Sequence, residues 1–379
     1  MRMQEDIINI KINKPSATIY NSVKSSWDHI SKPLDGLGDF EELICRIAAI
    51  QATETPVISK RAAVIFCADN GIVEEGISQS SKDITLSVAK ALGSGISSAC
   101  TLAGHAGVDI IPVDIGIDCE EKISGVRDMK ISKGTRNFFK EPAMTLDETL
   151  RAIDCGINLV KELSEQGYGI ISTGEMGIGN TTTSAAVLAC LLNIDSDIIT
   201  GRGAGLDDDG LSRKRQVIKT AIDKYFNGII LNNDLEYSND HKSISNIDSK
   251  NYKDKNRTLE ILRNLGGLDI AALTGTFIGG AIYHIPIVID GLISATAALI
   301  AKRLIPGVKD YMIASHAGRE SGCLLALQEL GLRPYIEGNM ALGEGTGALM
   351  LFPLIDMVFD FYKYAAKFSD YEIDEYKRF

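Results

Sequence analysis

Gly169-Ile170-Ile171-Ser172-Thr173-Gly174-Glu175-Met176-Gly177-Ile178-Gly179-Asn180-Thr181-Thr182-Thr183 is a short apolar run that breaks into a glycine-rich turn and then into a helical pattern reaching Leu192. The run is β-branched, with no polar alternation, as a strand buried on both faces requires. Four other runs end in the same way. Ala62 to Cys67 leads into Asp69-Asn70-Gly71, and Val108 to Val113 into Asp114. Ile285 to Ile289 leads into Asp290-Gly291, and Tyr311 to Ala314 into Ser315-His316. Helical patterns follow most of them, over residues 87–102, 181–192, 293–304 and 320–330. Strand then helix, repeated, predicts an α/β fold with a mainly parallel sheet flanked by helices. Ligands of such sheets sit beyond the carboxyl ends of the strands, so the polar residues closing each run are the candidates for a site.

Outside this rhythm, residues 1–60 and 348–379 are helical in pattern and predict a small helical domain built from both chain ends. Residues 61–347 then form the large α/β substrate-binding domain. Residues 236–257 are polar, aperiodic and rich in Asn, Ser and Lys, and read as a surface loop inserted in that domain. A chain of 379 residues is long enough for two such units.

Composition narrows the function. Hydrophobic residues make up 45% and charged residues 23%, ordinary values for a globular protein with a self-sufficient core. The net charge of −11 and the lack of a basic stripe argue against nucleic acid as a partner. A phosphate must then be held locally, by backbone N–H groups at a helix start and one or two cations. The seven cysteines are odd in number and show no CxxC pair, so they read as buried thiols of a reducing cytoplasm. The five histidines show no metal-ligand spacing, and neither a metal nor another cofactor is expected. Met1 to Asp6 reads as mature protein rather than a signal peptide, and no apolar stretch suits a membrane.

Four segments have residue types that packing alone does not explain. In the opening stretch, Gly177 and Gly179 permit close backbone approach, Asn180 or Thr181 can cap the helix, and Glu175 stands in a glycine turn at a strand end. The turn lacks the Gly-Lys-Ser/Thr ending of a nucleotide-kinase loop. A second glycine loop, Thr200-Gly201-Arg202-Gly203-Ala204-Gly205, leads to Asp207-Asp208-Asp209 and then to Arg213-Lys214-Arg215. The acids read as helix caps and Lys214 as the flexible cation for a phosphate, with Arg202 and Gly203 beside it. The third segment, Leu342-Gly343-Glu344-Gly345-Thr346-Gly347, frames a carboxylate with glycines, so it can reach into a cleft. The fourth, residues 67–85, leaves a strand end at Asp69 and passes through Ser80 into a helix that contains Val88.

With these segments in place, the chain resembles the nicotinate-nucleotide–dimethylbenzimidazole phosphoribosyltransferase family over nearly its whole length. The matching stretches include Lys32-Pro33-Leu34-Asp35-Gly36-Leu37-Gly38, Gly134-Thr135-Arg136-Asn137-Phe138, Glu141-Pro142-Ala143-Met144-Thr145, Leu265-Gly266-Gly267-Leu268-Asp269-Ile270 and Pro286 to Gly291. The resemblance implies a homodimer acting on two small molecules, nicotinate mononucleotide and a free base. It implies Glu344 as the base that takes the acceptor's proton, and Glu175 and Lys214 as residues framing ribose and phosphate. Gly177, Gly179, Asn180, Thr181, Arg202, Gly203, Asp290, Ser315 and His316 complete the expected substrate-binding set. Asp69, Ser80, Val88 and Leu342 are the expected pocket for the acceptor base. Members often have His where Asn70 stands, Pro where Ser81 stands, and Gln at or beside Val88. These departures leave the acceptor open between 5,6-dimethylbenzimidazole, adenine and a phenol. A non-catalytic paralogue subunit is the alternative from another class, and the intact Glu175, Lys214 and Glu344 argue against it.

Overall fold

The computed structural model describes residues 2–226 and 244–378. The first half runs α1 (Gln4–Ile8), α2 (Ala17–Asp28), α3 (Asp39–Gln51), β1 (Arg61–Ala68), α4 (Asp83–Gly93), α5 (Ser98–Ala106), β2 (Asp109–Gly116), β3 (Arg127–Asp128) and α6 (Leu146–Glu165). The second half runs β4 (Ile170–Met176), α7 (Asn180–Leu192), α8 (Ser196–Ile199), α9 (Asp208–Phe226), α10 (Ile244–Leu265), α11 (Leu268–Ile282), β5 (Ile287–Ile289) and α12 (Leu292–Leu304). It ends with β6 (Met312–Ala314), β7 (His316–Gly318), α13 (Ser321–Leu330), β8 (Ile336–Met340) and α14 (Thr346–Tyr364). Six strands form one parallel sheet in the order β3-β2-β1-β4-β5-β6. From β1 the chain moves outward to β2 and β3, then returns to lay β4 against the other side of β1. Strand order therefore reverses between β1 and β4, and a crevice opens there at their carboxyl ends.

The sheet is buried on both faces, as its apolar runs predict. Along β1, Ala62, Val64, Phe66 and Ala68 join one core, with α6, α7, α11 and α12. Ala63, Ile65 and Cys67 alternate into the other, with α2 to α5 and α14. On the first face α6 and α11 meet backbone to backbone. A Cβ on Gly156 would lie 2.0 Å from Ala272 O, and one on Gly275 would lie 1.9 Å from Ile153 O. Gly275→Ala is therefore expected to lower stability by about 1–3 kcal/mol, the scale of an overpacked core, read as the shift in denaturation midpoint. An unchanged midpoint would show that the two helices can separate freely.

Two expectations need correction, and one element was not expected. The helical pattern over residues 87–102 is two helices, because Gly93 is pressed against Ser124 O (2.2 Å from its Cβ position), Gly95 is left-handed at φ 75°, and Ser97 caps α5 by accepting from Cys100 N at 3.2 Å. Residues 244–257 of the expected polar loop belong to α10, while 236–243 lie outside the described residues. Thr258, Leu259, Ile261, Leu262 and Leu265 are buried at helical spacing, and the polar residues before them continue the same helix. The short parallel pair β7–β8 had no signal in the sequence. At the chain ends, α2, α3 and α14 lie side by side on one face of the sheet. Ile30 bridges Lys367, and Arg378 grips Asp28 and Asp35 at 2.7–3.0 Å.

Candidate active site

The β1–β4 crevice is built from strand ends. Phe66 of β1 pairs with Glu175 of β4, so both chains reach the rim at the same height. Beyond them Asn70 and Gly177 to Asn180 interlock: Asn70 Nδ2 donates to Ile178 O at 3.2 Å. A Cβ on Gly177 would stand 2.5 Å from Ala68 O, which explains that glycine. Asn180 does not cap α7. The cap position is Gly179, at φ 94°, and the Asn180 amide instead donates to the Glu175 carboxyl and, at 3.2 Å, to Asp269 Oδ2. All three side chains are buried. Burial, then the charge of Asp269, pushes Glu175 up to about 8, while burial raises Asp269 to about 6 against the hydrogen bonds of Asn180 and its own helix start.

On the α7 side lies a buried cation. Lys214 of α9 is 1% exposed, yet among the described residues its ammonium donates to Thr181 Oγ1 alone, at 2.9 Å. Among the described residues no carboxylate forms an ion pair with it. Burial lowers it to about 8, opposed by the charge of Glu320. Burial in turn raises Glu320, opposed by Lys214. Gly203 covers the pair, with its Cβ position 2.9 Å from Thr181 Oγ1 and 3.4 Å from Lys214 Nζ, and Gly201 sits against Glu320. Arg202 is not brought in: its guanidinium turns back to Leu206 O at 2.9 Å and to Asp208. Of the acidic trio, Asp207 caps α9 by accepting from Gly210 N at 2.8 Å.

Glu344 stands across the crevice. Gly343, Glu344 and Gly345 all take left-handed backbone angles, at φ 86°, 57° and 79°, which places a strained carboxylate between two residues that adopt such angles freely. Gly174 of β4 packs directly on this loop, its Cβ position 2.9 Å from Gly345 N and 3.1 Å from Glu344 C. The glycine turn and the glycine-flanked carboxylate thus share one cleft within one subunit. Glu344 Oε2 accepts from Ala99 N at 3.4 Å, at the start of α5, and the nearby Ser97 hydroxyl also favours the charged carboxylate. Burial outweighs both donors, so the carboxyl is raised above its ordinary range. Asp290 Oδ1 accepts from Ala348 N at 3.0 Å, in the first turn of α14. His316 is buried under Gly347. Ser315 donates its one hydroxyl hydrogen to Ile289 O at 2.6 Å, so His316 Nδ1, 2.9 Å away, donates to Ser315.

At the β1 rim, Asp69 Oδ2 accepts from Asp118 N at 2.8 Å, and the carboxyl is raised by burial against that bond and one from Thr85. Thr85 also accepts from Ile178 N at 3.2 Å, which ties α4 to the β4 turn. Val88 is half-buried one turn further along α4, Ser80 is half-exposed in the preceding loop, and Leu342 is 57% exposed. The 134–138 motif supports this rim, because Thr135 N donates to Asp69 O at 3.0 Å and its hydroxyl accepts from Gly71 N at 3.2 Å. Sequence reasoning assigned no role to Thr85, Ser97, Asp269 and Glu320, although Thr85 and Asp269 stood in stretches already singled out. A polar cavity of about 330 Å³ near Arg46, Asp310 and Tyr335 lies at the amino end of β6, and none of the expected site residues lines it. Among the described residues no group of acids, histidines and cysteines is arranged to hold a metal, and no helix is long and apolar enough to cross a membrane.

Comparison with known proteins agrees with this geometry. The family model described as DBI_PRT, Phosphoribosyltransferase, matches residues 12–373. The nicotinate-nucleotide–dimethylbenzimidazole phosphoribosyltransferase of Acetivibrio thermocellus is 41% identical over 355 residues, 94% of each chain. That of Clostridium acetobutylicum is 38% identical over 366 residues, 97% of each chain. The crystal structure of CobT from Thermus thermophilus superposes with a TM-score of 0.82 at 30% identity, covering 94% of this chain and 99% of that one. Near-complete coverage in both directions, together with the six-stranded parallel sheet, places the chain in the nicotinate-nucleotide–dimethylbenzimidazole phosphoribosyltransferase family.

Proposed function

We propose that this enzyme transfers the phosphoribosyl group of nicotinate mononucleotide to a lower-ligand base, 5,6-dimethylbenzimidazole or a similar ring, giving an α-ribotide and nicotinate for cobamide assembly. The observation that supports this most is the single cleft in which Gly174 packs on the Glu344 loop while the same β4–α7 turn leads to Thr181 and Lys214. The donor's phosphate meets the Lys214 ammonium, the Thr181 hydroxyl and the Gly203 backbone. Glu344 removes the proton from one ring nitrogen of the base as the other nitrogen attacks C1′. Its burial strengthens it as a base, and a carboxylate in this role contributes about 10²–10⁴-fold. Nicotinate departs with the bonding pair, which relieves the charge on its pyridinium nitrogen. Attack on the face opposite nicotinate inverts the anomeric carbon. Holding donor and acceptor in line contributes more, about 7–11 kcal/mol in well-oriented pairs.

Incubating the protein with nicotinate mononucleotide and a panel of benzimidazoles, adenine and phenols, with mass and anomer analysis of the ribotide, tests the reading. An α-ribotide is expected, with one base preferred; no ribotide from any base would end it. The aliphatic side chains of Val88 and Leu342, if they line the base pocket, favour an apolar ring over a polar one.

The reading includes a homodimer in the cytoplasm, with the helices of both chain ends as its small domain. Seven free cysteines suit a reducing compartment. Met350, Met357, Phe361 and Tyr364 are exposed along one stripe of α14, the kind of face a second copy covers. Light scattering is expected to give a dimer, and Met357→Glu with Phe361→Glu a monomer. A native monomer would remove this part of the proposal.

A further inference from the structure

Asp269 takes no part in the mechanism above, yet it is fully buried and reaches into the crevice from the first turn of α11. Room for its carboxyl is made by two glycines. A Cβ on Gly267 would lie 2.4 Å from Asp269 Oδ1, and one on Gly177 would lie 3.2 Å from Oδ2. The Asn180 amide has two hydrogens, and both are used: one goes to Glu175 Oε2 and the other to Asp269 Oδ2 at 3.2 Å. The remaining Glu175 oxygen, Oε1, is turned to the Glu344 loop, 3.4 Å from the Cβ position of Gly343. One oxygen of Glu175 is thus tethered and the other presented to the cleft.

We propose that Asp269 is a positioning residue for the transfer reaction: through the Asn180 amide it fixes the Glu175 carboxyl so that Oε1 faces the donor's ribose. The role of Glu175 toward ribose rests on the function proposed above; the link from Asp269 to Glu175 does not. Which of the two acids holds the proton follows from their surroundings. Asp269 has a second donor, Ile270 N at 2.9 Å, and the positive end of α11, so it ionises first. Glu175 has Asn180 as its donor. It is faced by acids from every neighbouring element: Asp269 of α11, Asp290 at the end of β5, Glu320 before α13 and Glu344 of the adjoining loop, with the Cys67 thiol of β1 beside it. At neutral pH the pair therefore carries one proton, on Glu175, whose free oxygen then offers a ribose hydroxyl a donor or an acceptor.

The test combines infrared titration with donor binding, on the full chain. The native protein should show a protonated-carboxyl band at pH 7 that disappears as pH rises through about 8 and is missing in Glu175→Gln. Asp269→Asn removes the neighbouring charge and should move that loss at least one pH unit lower. Asp269→Asn should also raise the Kd for nicotinate mononucleotide about tenfold, with no further rise when added to Glu175→Gln, as coupled residues behave. Should Asp269→Asn not fold, Asn180→Ala breaks the same link from the other end and should raise the Kd alike, again without effect in the Glu175→Gln background. No such band in the native protein, a band that Asp269→Asn leaves in place, or additive effects on binding would each overturn the proposal. The titration needs no turnover, so it decides the link even if the assigned reaction fails.

Discussion

Glu344→Gln is expected to lower turnover by about two orders of magnitude or more, the scale of a lost general base, while nicotinate mononucleotide binds with nearly native affinity. Glutamine keeps the shape, and its carbonyl oxygen can still accept from Ala99 N, so the left-handed Gly343–Gly345 loop need not move. What it loses is the ability to accept the proton that the acceptor must shed. The same argument fixes a pH dependence. Glu344 must be ionised to act, and burial raises it, so the acid limb of kcat/KM should lie above the ordinary carboxylate range and vanish in the variant. Steady-state kinetics across pH with both substrates checks this. Near-native turnover in Glu344→Gln removes the residue from the mechanism.

The second large effect is at Lys214. Lys214→Met should raise the KM for the phosphorylated donor thirtyfold or more, since loss of a buried charged contact costs about 2 kcal/mol or more. The same change should stabilise the protein without ligand at pH 7 by about 1–3 kcal/mol, the scale seen when buried charges give way to apolar groups. The sign follows from the shift. The folded state lowers the lysine from 10.5 to about 8, so the burden of the buried charge is fully present below pH 8 and is relieved between 8 and 10.5 as the folded form deprotonates. Urea denaturation should therefore show the variant's advantage at pH 7 and a smaller one at pH 10. A donor brings two negative charges to that ammonium, so the native lysine is stabilised by binding and the methionine is not. An unchanged KM would count against a phosphate role for Lys214.

The strand–turn–helix units were legible because burial on both faces leaves a continuous apolar run, and a site at a strand end interrupts it with glycine and charge. Glu175 and Glu344 stood out for that reason, since a charged residue in a glycine frame has no packing role, and Lys214 stood out as the flexible cation following the second glycine loop. The break between α4 and α5 was not legible, since it depends on Gly93 meeting Ser124 O, a contact made across the fold. β7 and β8 carry Gly318, Gly338 and Asn339 in place of alternating apolar residues, so periodicity passes over them. α10 was half hidden because the sequence of its first turns is polar and aperiodic, whereas Thr258, Leu259, Ile261, Leu262 and Leu265 form a buried face at helical spacing. The same limit applied to the site. Asp269 acquires its role from Asn180, 89 residues away, and the Glu344 carboxylate is held by Ala99, 245 residues away. Arg202 is engaged locally: a guanidinium in a glycine loop suggests an anion, whereas Asp208 and Leu206 O lie close along the chain and hold it here.

A crystal structure with nicotinate and the α-ribotide bound is the most direct examination of the shared cleft. The ribotide phosphate should lie on Lys214 and Thr181 beneath Gly203, with a base nitrogen within hydrogen-bond reach of the Glu344 carboxylate. A phosphate seated away from Lys214, or a base out of reach of Glu344 in every subunit, would contradict it.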